Sequence, residues 1–166
     1  MMHKTNNNDT RAGFTIVELL IVIVVIGILA AITIVSFNGV QARAKFATNQ
    51  SDLDNTQKLI ELHYAQYGTY PLVAVDWGRQ TTSNQNTYIP GLVPEFASML
   101  PIVTDGSGQY LYRTNPTGSE YKLMKYKSGG LTGSEWALVP STMKESAAVE
   151  TYKDRWGVWS SGGKTL

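Results

Sequence analysis

The sequence contains no cysteine, which excludes disulfide staples, thiolate metal sites and cysteine nucleophiles together. Histidine is almost as scarce: His3 and His63 are the only two, far apart in the chain, so no His-based metal cluster or catalytic triad can be read. An excess of one charge sign is also missing. The formal net charge is +1, and without residues 1–13, which carry Lys4, Arg11 and Asp9, 12 basic side chains face 12 acidic ones. A protein that holds nucleic acid by neutralising phosphates normally carries a basic stripe, and none stands out. No convergent nucleophile-base pair is visible either, so the chain reads as a non-enzyme. Its 166 residues suffice for one globular unit with a core.

What the sequence does have is a long apolar run. Phe14 to Phe37 reads FTIVELLIVIVVIGILAAITIVSF, interrupted by a single charge, Glu18. About 20 apolar residues rising about 1.5 Å each cross a hydrocarbon core, so this segment is a membrane-span candidate. A chain this small could not wrap an all-round apolar helix of that length. An ordinary secretory signal places its apolar stretch before a small-residue cleavage site, and here the order is reversed. Gly13 closes the polar leader MMHKTNNNDTRAG ahead of the run, so a cut there keeps the hydrophobic helix in the product. Lys4 and Arg11 on the leader favour a cytoplasmic N-terminus and a head outside the membrane.

Gly13 followed by Phe14-Thr15-Ile16-Val17-Glu18-Leu19-Leu20, then an apolar run through Gly27-Ile28-Leu29-Ala30-Ala31-Ile32, resembles the class III signal of type IV pilins, pseudopilins and related competence proteins. The resemblance covers about a quarter of the chain. It implies a prepilin peptidase that cuts after Gly13 and methylates Phe14. It further implies a filament in which Glu18 pairs with the Phe14 ammonium of a neighbouring subunit and sets axial register. A carboxylate in hydrocarbon costs at least about 2.5 kcal/mol, so Glu18 needs a partner or a function; the bland alternative puts it in the headgroup region at the helix end. Two departures from the family pattern stand out: the second half of the span, Ile32 to Ser36, has no proline, and no cysteine is present to close the C-terminal region. Any helix break would have to fall at Gly27 or between Ser36 and Gly39.

Past the run, residues 41–67 become amphipathic. Phe46, Leu53, Ile60 and Tyr67 recur every seven residues, widened by Leu59 and Tyr64, with Lys45, Asp52, Asp54, Lys58 and Glu61 elsewhere around the helix. A helix from Phe14 to Tyr67 would be roughly 80 Å long. Gly68-Thr69-Tyr70-Pro71 ends it by glycine and proline chemistry, and residues 72–93 read as a polar connecting loop. Pro94 to Leu100 is expected to form a short helix with proline in its first turn. Gln109–Thr114 and Glu120–Lys127 alternate and are tyrosine-rich, forming a hairpin through Asn115-Pro116-Thr117-Gly118. Trp136–Val139 and Arg155–Ser160 supply two more expected strands, and Ser141 to Asp154 is helical or irregular.

Three local patterns are set aside. Gly162-Gly163-Lys164-Thr165 looks like a phosphate loop without the upstream glycine or a following helix. Asp105-Gly106-Ser107-Gly108 looks like a calcium-loop fragment, but calcium wants six or more oxygens and one acid is local, so a plain turn is expected. Asn49-Gln50-Ser51 is a sequon that falls in mid-helix.

The expected fold class is α+β: a long N-terminal helix, half membrane and half amphipathic, packed on a small antiparallel sheet in the manner of type IV pilins. The expected segments are a leader over 1–13, a membrane and polymerisation half over 14–37, an amphipathic half over 38–67 and a head over 68–166. The expected function is a structural subunit of a type IV pilus-like filament. The alternatives are a secretion pseudopilin, a minor or DNA-uptake pilin, and, more remotely, a single-span protein with a ligand-binding head. Cofactors and metals are not expected. The expected partners are further copies of the chain, prepilin peptidase, an assembly platform and, before assembly, membrane lipid; nucleic acid is left open. The precursor is expected in the cytoplasmic membrane and the assembled product outside the cell.

Overall fold

The computed structural model describes residues 13–74, 76–103, 108–145 and 153–166. Residues 1–12, with His3, Lys4 and Arg11, the expected turn at Asp105-Gly106-Ser107, and residues 146–152 of the polar stretch lie outside the described residues. The chain divides into two compact units, Met1–Gln41 and Ala42–Leu166.

Helix α1, Ile16–Tyr67, comprises 52 residues and is unbroken at both Gly27 and Asn38-Gly39. In the first unit its described apolar side chains are all exposed. Such a surface is stable in hydrocarbon and costly in water, and α1 is long and apolar enough there to cross a membrane. Thr33 Oγ1 donates back to the carbonyls of Leu29 and Ala30, at 3.0 and 2.9 Å, so this hydroxyl needs no partner from outside the helix. At the other end Gly68 adopts φ +73° and its N–H donates to the Tyr64 carbonyl at 2.8 Å, a left-handed stop that a Cβ would oppose.

The second unit is an antiparallel sheet facing residues 42–67 of α1. Its strands are β1 (Gly78–Arg79), β2 (Gln109–Thr114), β3 (Tyr121–Tyr126) and β4 (Arg155–Trp159), side by side in that order. In the β2–β3 hairpin Tyr112 lies opposite Leu123, and Asn115 Oδ1 accepts from the N–H groups of Ser119 and Glu120, at 2.9 and 3.2 Å. Strand β4 approaches β3 so closely that a Cβ on Gly157 would lie 2.0 Å from the Leu123 carbonyl oxygen.

Alternation along the strands sends Tyr110, Tyr112, Tyr121, Leu123 and Trp156 into the core with Leu53 and Ile60 of α1. Three hydroxyl tethers hold the helix, two from the sheet and one from Tyr70 in the chain that follows α1. Tyr110 donates to Asp52 at 2.7 Å, and Tyr121 and Tyr70 donate to Glu61 at 3.1 and 3.3 Å. The helix stripe differs from its expected form at the C-terminal end. Leu53, Thr56 and Ile60 are buried and Phe46 and Leu59 partly so, whereas Tyr64 and Tyr67 are exposed. Tyr64 stacks on Tyr70 instead, and Tyr67 hydrogen-bonds Glu95 at 2.5 Å. A phenol can satisfy its hydroxyl at the rim, which a strict sevenfold spacing ignores.

Three other expectations are corrected. Trp136–Val139 is not a strand: Trp136 to Leu138 belong to helix α2 (Gly133–Leu138) and Val139 is its C-cap, while N-cap Thr132 and Glu135 form a reciprocal capping box. Four apolar residues fit either period, and the cap decides. Pro94–Leu100 closes only one turn, with Phe96 N–H on the Leu92 carbonyl at 2.9 Å, since so short a segment gains few bonds for the cost of nucleation. Residues 72–93 are more than a connection: they provide β1 and bury Tyr88, Ile89 and Leu92 in the core.

Candidate processing and assembly site

The three residues singled out at the N-terminus are together in the first unit. Gly13, Phe14 and Thr15 precede the helix in non-helical chain, and all three are exposed. Phe14 is 90% exposed. A Cβ on Gly13 would meet nothing within 4 Å, and its φ is not in the left-handed region, so the fold itself makes no demand for glycine at this position. A requirement for glycine here would have to come from an outside agent.

Glu18 sits in the first turn of α1, where a negative charge meets the unpaired N–H groups of the helix start. Its Oε2 accepts from the Thr15 N–H and from Thr15 Oγ1, each at 2.8 Å, while the Glu18 N–H donates to Thr15 Oγ1 at 3.2 Å. This is a reciprocal capping box. Charge alone does not point to Thr15, although the spacing Thr15-x-x-Glu18 ahead of an apolar run is the signature of such a box. Both bonds fall on Oε2, so Oε1 keeps its lone pairs for a further donor.

In the second unit His63 Nδ1 lies 2.9 Å from the Thr69 carbonyl oxygen, a tether across the helix stop rather than part of a catalytic set. Gly163 of the phosphate-loop lookalike lies in a short 3-10 helix, Gly163–Thr165. A Cβ there would be 1.9 Å from the Tyr121 carbonyl oxygen, which accounts for the glycine by close packing. Among the described residues no group of three His, Asp or Glu could hold a metal ion.

Residues 8–34 match the prokaryotic N-terminal methylation motif. No curated protein and no solved structure matches the chain. The matched segment contains Gly13, Phe14, Thr15 and Glu18 and the start of α1. The chain thus carries the class III prepilin signal of type IV pilins on an α+β arrangement like theirs.

Proposed function

We propose that this chain is the precursor of a structural subunit of a type IV pilus-like filament, cut by a prepilin peptidase after Gly13, methylated on Phe14 and assembled through its N-terminal helix. The observation that carries the reading is the methylation motif over residues 8–34, set on an exposed, non-helical Gly13-Phe14 bond directly before an apolar helix. A peptidase needs extended, accessible chain, and a helical bond would have to unwind first. The glycine without a structural reason at 13 is accounted for by the peptidase's need for a small residue before the cut.

Cleavage leaves an ammonium on Phe14, close to the carboxylate of Glu18. The free Oε1 of Glu18 can take that cation, its own or a neighbour's, while Oε2 continues to cap the helix. Pairing offsets the cost of holding a lone charge in hydrocarbon. Before assembly the subunit is a single-pass protein of the cytoplasmic membrane, and the assembly platform draws it into an extracellular filament.

Coexpression with a prepilin peptidase and mass spectrometry of the product tests the reading. The mature chain is expected to begin at methylated Phe14, and Gly13→Val is expected to leave an uncut precursor. An intact leader in assembled material would overturn the proposal.

A further inference from the structure

The outer face of the sheet, turned away from α1, gathers rings and guanidinium groups. In the registers Arg79 lies opposite Leu111, Leu111 opposite Met124, and Tyr126 opposite Arg155, which puts these side chains on one face. The Arg155 guanidinium carbon lies 5.9 Å from the centre of the Tyr126 ring, and that of Arg113 lies 5.6 Å from the Trp77 ring. Trp77, Arg79, Leu111, Tyr126 and Arg155 line a cleft of about 160 Å³. A cavity of about 150 Å³ takes one benzene ring, so the cleft has room for a single six-membered ring.

The polar groups around the cleft alternate in kind. Arg155 is held by Asp154, Nε to Oδ1 at 2.9 Å, and Arg113 by Asp76 at 3.0 Å. Each pair presents guanidinium N–H donors and carboxylate acceptors side by side. Arg79 is exposed and forms no ion pair among the described residues. Among the described residues the site therefore offers two aromatic rings, each with one face toward a guanidinium, paired donors and acceptors, and one uncompensated cation, Arg79.

Those features select among ligands. A nucleic-acid strand carries a charge at every step and is held by a row of cations, but here two of the three guanidinium groups are already neutralised. A neutral sugar would leave Arg79 unused. A pyranose with one carboxylate uses every feature: its C–H face lies on Trp77 or Tyr126, its hydroxyls meet the Asp–Arg pairs, and its carboxylate meets the Arg79 fork. We propose that this cleft binds a hexuronic acid unit of an acidic polysaccharide. The inference does not depend on filament assembly.

Calorimetric titration of the detergent-solubilised full chain with α-1,4-linked tetragalacturonate tests it, with maltotetraose and a single-stranded dT 12-mer as comparison ligands. Tetragalacturonate is expected to bind at least tenfold more tightly than either. Arg79→Gln, an exposed change expected to leave the melting temperature unaltered, should weaken that binding at least tenfold, and Arg79→Lys should fall between. The proposal is overturned by absent binding at millimolar tetragalacturonate, by equal binding of maltotetraose, by tighter binding of the oligonucleotide, or by Arg79→Gln binding like the parent.

Discussion

Glu18 has two oxygens with different tasks available to them. Oε2 closes the capping box with Thr15, and Oε1 is open to the ammonium that cleavage after Gly13 would create. The two tasks can be separated by substitution. Glu18→Gln keeps an amide oxygen for the Thr15 N–H but removes the charge, so insertion and cleavage should survive while sheared filaments are lost or greatly reduced. Thr15→Val keeps the charge and removes the hydroxyl, which should cost about 1 kcal/mol at the helix start and leave filaments forming. The measurement is a parallel assay of cleaved protein in membranes and of filament yield from cells with the variant as sole subunit. Normal filaments from Glu18→Gln together with poor filaments from Thr15→Val would assign Glu18 to capping alone.

Among the elements, the buried stripe of α1 can be tested by charge placement. Ile60 is fully buried between helix and sheet, whereas Leu62, two residues on, is 53% exposed. Ile60→Asp should therefore cost the head about 3 kcal/mol or more, as an unpaired carboxylate is taken from water. Leu62→Asp should stay within about 0.5 kcal/mol. Thermal melting of the full chain in detergent, followed by tryptophan fluorescence, distinguishes them, and equal melting temperatures would mean that the stripe faces elsewhere. The same contrast explains what the sequence made legible. A long period of apolar residues identifies α1, and alternation with tyrosines identifies β2 and β3, because each pattern repeats enough to exclude the other. Strand β1 has two residues and cannot show a period at all. Helix α2 has too few apolar residues to separate helix from strand, yet its Thr132 and Glu135 spacing carried the answer. In the candidate site Gly13, Phe14 and Glu18 stand out as residue types, whereas Thr15 is found only through its spacing to Glu18, the same capping-box signature as in α2. The sheet-face cleft was not legible, since Trp77, Leu111 and Arg155 meet only through pairing of distant strands.

At the scale of the whole molecule, tyrosine hydroxyls both fill and tie the head, and this couples its stability to alkaline pH. Burial, with the Asp52 carboxylate as a second cause for Tyr88 and Tyr110, pushes these two phenols well above their usual value. Burial does the same for Tyr112 and Tyr121, and Tyr70 is pushed up to about 12 by burial and then by Glu61. Unfolded tyrosines lose their protons near pH 10. Above that value the unfolded chain binds fewer protons than the folded one, so the tyrosine contribution is fully present below about pH 10 and is lost as pH rises toward the folded values. Tyrosinate absorbance should therefore show a steep phase that coincides with loss of the folded tryptophan signal. Tyr110→Phe removes one ionisable group and the hydrogen bond to Asp52. It should lower stability at neutral pH by about 1.5 kcal/mol while weakening the dependence on pH above 10. A single gradual titration of every tyrosine near pH 10, with the tryptophan signal intact, would contradict a tyrosine-filled core, because phenolates cannot remain beside Asp52 and Glu61 away from water without forcing the sheet off α1.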